Sequence, residues 1–176
     1  MTDTAVDKGN VPEVRLVVTG HDADNRGVIA RDTRVGPTPG LAADSWEARE
    51  LWSVKSLPSL PDDGLSAIES QASGPGSVRL IQCVIHPEGG PLPPGDPDVT
   101  SRTVLRTDDT AMHFTASVDL VVVLEGEVEI VLDGARTVLG QGDFLVQNGT
   151  RHEWHNYGDR PARLGVVFLA TEHRGF

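Results

Sequence analysis

Short apolar runs broken by turn pairs fill the stretch from Ala111 to Asn156. Turn signals stand at Glu125-Gly126, Asp133-Gly134 and Gly140-Gln141-Gly142-Asp143. A turn roughly every 8 residues predicts antiparallel strands in a sandwich or barrel. Val78–His86 predicts a strand with apolar residues on both faces, and Arg163–Ala170 predicts a strand that closes the sheet. Shorter strands are expected at Val14–Thr19, Val28–Arg31, Leu51–Val54 and Arg102–Arg106, and a helical turn at Ala42–Glu50. Gly36–Gly40, Ser56–Pro75 and the five-proline segment Pro87–Asp98 predict loops. Proline removes a ladder donor and blocks both helix and inner strand. The fold class read from this pattern is all-β, with residues 1–75 as an N-terminal arm whose strands pack on a barrel of residues 76–176, together one structural domain.

Side chains alternate between the two faces of a strand. Along Ala111–Leu124 the odd positions are His113, Thr115, Ser117, Asp119, Val121 and Val123. That face begins polar and turns apolar, as in a barrel with a wet mouth and a packed floor. The even positions, Phe114, Ala116, Val118, Leu120, Val122 and Leu124, are apolar throughout. A strand with one face in water would alternate instead, so another sheet or subunit is expected to cover it. A homodimer is the expectation, two-fold symmetry being the prior for oligomers.

At 176 residues the chain suits one well-buried core and is short for two. Its 19 glycines and 12 prolines fit a turn-rich β protein. A net charge of −11 with no basic patch argues against nucleic-acid binding. No apolar run approaches a membrane span, and the first ten residues lack the features of a secretory signal. The single cysteine, Cys83, excludes an intrachain disulfide and reads as a small core residue. A cytoplasmic location is expected. Asp22-Ala-Asp24-Asn-Arg26-Gly27 resembles a calcium loop, but Arg26 and Thr33 fall where oxygen ligands are needed, so a hairpin turn is expected. There is no P-loop, G-x-S-x-G elbow, H-E-x-x-H or dinucleotide fingerprint.

Two motifs carry the chemistry. The first reads His113-x-Thr115-x3-Asp119-x6-Gly126, and the second Gly142-x4-Gln147-x-Gly149-x2-His152-x3-Asn156. They resemble the paired motifs of the cupin superfamily, G-x5-H-x-H-x(3,4)-E-x6-G and G-x5-P-x-G-x2-H-x3-N. The resemblance covers residues 76–170 and implies a cupin-type jelly-roll barrel with added N-terminal strands. Thr115 replaces the second His, Asp119 the Glu and Gln147 the Pro; the approach from Gly142 is one residue short, and the leading Gly of the first motif is displaced. Carried over by position, the family's metal site would fall on His113, Asp119 and His152, with one divalent Fe, Mn, Ni or Zn ion per chain. Asp reaches less far than Glu by about 1.5 Å, one C–C bond. The alternative is a metal-free polar pocket in which His113 and Asp119 hydrogen-bond each other. Thr115, His86, Gln147 and Trp154 are expected in the pocket or just behind it. His155 should point away, since residues three apart on a strand face opposite sides.

What the resemblance implies is a small-molecule enzyme acting on a small organic acid, ketone or phenol. The reaction types in view are dioxygenase, decarboxylase, dehydratase and isomerase, with the metal as Lewis acid or oxygen-binding centre. The alternatives are a non-catalytic cupin that binds a small ligand and a purely structural dimer module. Residues 87–112 make a long connection, and long connections are usually functional or disordered. A lid over the barrel mouth is expected, with Arg102 or Arg106 meeting a substrate carboxylate. A surface insertion or an added edge strand are the alternatives.

Overall fold

The computed structural model describes residues 12–43, 46–88, 104–106 and 112–174. Every regular element among them is a strand: β1 (Val14–His21), β2 (Gly27–Val35), β3 (Ala42–Ala43), β4 (Trp46–Val54), β5 (Val78–Ile85), β6 (Val104–Arg106), β7 (His113–Thr115), β8 (Ser117–Glu125), β9 (Glu127–Leu132), β10 (Arg136–Gly140), β11 (Phe144–Asn148), β12 (His152–His155) and β13 (Ala162–Ala170). Since the described residues hold no helix, none is long and apolar enough to cross a membrane. The strands form a six-stranded sheet, β11-β8-β13-β5-β4-β3, a five-stranded sheet, β10-β9-β12-β7-β6, and a separate hairpin, β1-β2. All pairings are antiparallel. The all-β jelly-roll reading therefore holds.

The core lies between the two larger sheets. Ile81, Ile85, Val121, Val123, Leu164 and Val166 come from the six-stranded sheet, and Val128, Ile130 and Leu139 from the five-stranded one. Register fixes which side chains face inward. Val121 pairs with both Leu145 and Val166, and Ile81 pairs with Val166, so these positions share one face. Asp119, two residues before Val121, lies on that face beside its partners Gln147 and Phe168. The odd-numbered face of Ala111–Leu124 thus points inward, polar at one end and apolar at the other.

One expectation is corrected. Ala42–Glu50 forms no helical turn; it belongs to β3 and β4, and Leu51–Val54 is the end of β4. The run W-E-A-R-E-L-W has helix-forming composition, but eight register pairs with β5 override it. A bulge between Glu50 and Trp52 resets its register. Glu50 pairs with Arg79 at 3.1 Å in a buried ion pair, and it accepts the Gln71 amide and the Ser70 hydroxyl. The carboxylate thereby ties the 56–76 loop to the sheet.

The β1-β2 turn is the ordinary hairpin expected, with Asp22 Oδ1 accepting the amides of Asp24 and Arg26 at 2.9 Å. The hairpin meets the body through Gly20. A Cβ there would stand 2.0 Å from the Asp63 carbonyl oxygen, so only glycine permits the approach. The His21 amide then donates to the Asp62 carbonyl at 2.8 Å.

Candidate functional site

Six polar side chains gather at one end of the interior: His113, Thr115, Ser117, Asp119, Gln147 and His152. The last five are each at least 96% buried. The fold explains the clustering. β7 and β8 are nearly continuous, so Thr115, Ser117 and Asp119 share a face. β11 brings Gln147 opposite Asp119, and β12 brings His152 opposite His113. Strands distant in sequence thus deliver both motifs to one place.

The structure brings His113 and His152 together, with ring centroids 4.4 Å apart. Trp154 packs on the core and presents an edge-on contact to His152 at 6.0 Å. Asp119 is bound by two hydroxyls. Ser117 Oγ donates a short hydrogen bond to Asp119 Oδ1, and Thr115 Oγ1 lies 3.2 Å from Oδ2. The two departures from the family pattern complement each other here: the hydroxyl at the place of the lost imidazole bonds the shortened carboxylate. Among the described residues, no three His, Cys, Asp or Glu side chains come together as a metal set.

Burial sets the protonation of the site. It lifts the Asp119 carboxyl to about 6, against the two hydroxyls, which hold it down. It depresses His152 to about 4, and the neighbouring His113 ring adds to the depression. A carboxyl near neutrality beside a neutral imidazole is a combination suited to proton transfer. Burial also raises Cys83 to about 12, so that thiol stays protonated and is no nucleophile.

Gln147 is clamped at both ends. Its Oε1 accepts the Gly149 amide at 2.8 Å, and its Nε2 donates to the Thr150 carbonyl at 2.6 Å. Gly149 has φ +61, and a Cβ there would press on the Thr115 carbonyl oxygen at 3.0 Å. The chain after β13 braces the same corner. The Thr171 amide donates to Ala116, His173 Nε2 lies 3.1 Å from the Gly149 carbonyl, and the His173 ring packs 5.1 Å from Phe114.

The remaining expected residues fall elsewhere. His86 is buried just past β5, on the parity of Gln82 and Val84, whereas Ile81 and Ile85 face the core. His155 points away from the pair as expected, beside Glu88 and stacked on Tyr157. Arg102 and most of the expected lid lie outside the described residues. Arg106 sits on β6, opposite His113, so part of that connection is an added edge strand. Sequence reading did not single out Ser117 or His173. Ser117 had a signal, since it lies between Thr115 and Asp119 on the odd face. His173 had none, being seventeen residues beyond the second motif.

Comparison with known proteins comes to the same stretch. Residues 106–168 match the model of the Cupin_2 family, described as a cupin domain. The chain is 49% identical over 65 residues to phomopsin biosynthesis cluster protein D of Diaporthe leptostromiformis, covering 36% of this chain and 34% of that one. It is 40% identical over 62 residues to the cupin-domain-containing oxidoreductase virC of Hypocrea virens, covering 33% of this chain and 32% of that one. The chain thus spans about a third of the length of the curated relatives it matches. Among solved structures, the polyketide cyclase RemF from Streptomyces resistomycificus has a TM-score of 0.46 at 17% identity, covering 76% of this chain and 72% of that one.

Proposed function

We propose, from the cupin-domain match over residues 106–168, that the chain is a small-molecule enzyme of secondary metabolism, similar to fungal proteins of which several are described as cupin-domain-containing oxidoreductases. The substrate class is a small organic acid, ketone or phenol. The observation that carries this is the ring of buried polar side chains at one end of an otherwise apolar interior. In this reading Asp119 exchanges a proton with the substrate, Ser117 and Thr115 orient its carboxyl, and the two imidazoles hydrogen-bond a substrate oxygen. Trp154 and the apolar interior exclude water from the exchange.

Titration with a phenol, a β-keto acid and an aliphatic alcohol as control, followed by tryptophan fluorescence, tests this. Saturable binding of the phenol or keto acid is expected, weakened about tenfold or more, at least about 1.4 kcal/mol, by His113→Ala. Equal responses to all three compounds, or an unchanged response in His113→Ala, would overturn it. Binding with no turnover would leave the chain a ligand-binding cupin.

The rival reading keeps one divalent metal, Fe, Mn, Ni or Zn, on His113, Asp119 and His152. The close imidazole pair favours it; the hydroxyl-bound Asp119 opposes it. Elemental analysis of protein purified without affinity tag or chelator separates the two. The proposed function expects well under one metal per chain. One equivalent, lost in both His113→Ala and His152→Ala, would establish the metal instead.

We further propose that the chain works as a homodimer through the outer face of β11, β8 and β13. Register puts Val146, Leu120 and Val167 in one row and Phe144 and Val122 in the next. Phe144 is 79% exposed and Val146 57%. The other half of this sheet's outer face is covered already, with Arg49, Gln82 and Val84 buried. A contiguous open apolar face marks an association surface. Light scattering at micromolar concentration should give the dimer mass for the wild type and the monomer mass for Leu120→Glu. A monomeric wild type would end this proposal.

A further inference from the structure

Gln147 stands where the family pattern has a proline, and proline has no side-chain donor. Its amide cannot be turned over. One end receives the Gly149 N–H, so it must be the oxygen; the other gives a hydrogen to the Thr150 carbonyl, so it must be the nitrogen. That nitrogen lies 2.6 Å from His152 Nδ1. Two nitrogens so close are tolerated only with a hydrogen bond between them. Gln147 Nε2 carries only hydrogens, so Nδ1 must be the acceptor.

The competing contact is the Thr150 carbonyl oxygen, 2.9 Å from the same Nδ1. If Nδ1 donated to it, the ring N–H and the Gln147 NH2 would abut at 2.6 Å as two donors. If Nδ1 accepts from Gln147, the carbonyl and the ring lone pair face each other at 2.9 Å, a repulsion milder than that of two donors at 2.6 Å. The second arrangement costs less. We propose that Gln147 is a positioning residue that fixes the tautomer of His152, keeping Nδ1 unprotonated and the proton on Nε2.

The tautomer decides what the ring can do. A metal-binding histidine commonly donates Nδ1–H to a carbonyl or carboxylate and offers the Nε2 lone pair. Here the neutral ring offers Nε2–H, a donor suited to a carbonyl, carboxylate or phenolate oxygen. A cation would have to reverse the tautomer against Gln147. The proton's location depends on no substrate, so this inference goes beyond the proposed function and is independent of it.

Long-range proton–nitrogen correlation spectra of the histidine-15N-labelled 176-residue chain, near neutral pH, read the tautomer directly. His152→Gln identifies the resonance. The wild type should show His152 with hydrogen on Nε2. Gln147→Leu removes the donor and leaves the Thr150 carbonyl, so the hydrogen should move to Nδ1. Gln147→Glu, nearly isosteric, keeps the Gly149 contact and turns an acceptor toward Nδ1, with the same expected reversal. It covers the case in which the leucine variant fails to fold. A wild-type His152 protonated on Nδ1 would overturn the inference, as would an unchanged tautomer in a folded Gln147 variant. If the tautomer behaves as expected while the phenol and keto acid fail to bind, only the proposed function falls.

Discussion

Asp119→Asn should make the protein more stable at neutral pH while weakening binding of the phenol or keto acid. The folded-state carboxyl is raised from 3.8 to about 6. A group whose folded pKa is raised contributes stability that is complete below its unfolded pKa and lost as pH rises through the folded one. The wild type therefore loses stability from about pH 4 to about pH 6, up to about 3 kcal/mol in all. Asparagine carries no charge to bury, and the rotatable hydroxyls of Ser117 and Thr115 can still meet its side-chain amide. Melting curves across that range should show the variant ahead by roughly 5–10 °C above pH ~6, converging with the wild type below pH ~4. His152, depressed to about 4, loses stability in the opposite direction, as pH falls. It does so in both proteins, so the difference between them isolates Asp119. A variant less stable than wild type at every pH would mean that the carboxylate is held charged, and the proton-exchange role would go with it. Stability forgone for a buried working group is a common trade.

Gly20→Ala should undock the N-terminal hairpin. The new methyl would stand 2.0 Å from the Asp63 carbonyl oxygen, and the opposing wall is no softer: a Cβ on Gly64, at φ +81, would stand 2.3 Å from the Thr19 carbonyl oxygen. Two backbones meet here with no side chain to yield. Overpacking of this kind costs about 3 kcal/mol or more. The loss should be local, because β1-β2 is a separate sheet. Hydrogen exchange should therefore accelerate at the His21 amide while β5, β8 and β13 keep their protection, and proteolysis should begin in the Asp22–Arg26 turn. Unaltered exchange at His21 would show that the hairpin is held by something other than this contact.

Much of this was legible in the sequence because strand parity is a rigid rule. Once His113 and Val121 fell on one face, Thr115 and Asp119 had to share it, and the turn pairs gave the boundaries of β8 to β11 closely. The spacing of the second motif put His152 in the interior and His155 outside. Three things were hidden for physical reasons. The segment Trp46–Glu50 has the composition of a helix, and only pairing with β5, thirty residues on, makes it a strand. The Glu50–Arg79 ion pair depends on that same pairing. At the site, residue types in family positions were legible but their partners were not. Asp119 reads as a candidate ligand in the sequence, and its hydroxyl partners Ser117 and Thr115 come to light only in the fold. Gln147 reads as a lost proline until its amide is seen wedged between Gly149, Thr150 and His152.

The brace formed by Thr171 and His173 has a practical side. It joins the last described residues to Ala116, Phe114 and Gly149, one step from the histidine pair. Anything fused after Phe176, whether an affinity handle, a reporter or a tether to a solid support, will pull on that corner. A polyhistidine handle there would also bring foreign imidazoles close to the two whose metal content is in question. The β1-β2 hairpin forms its own sheet, and a handle attached ahead of it is the better choice for purification and immobilisation.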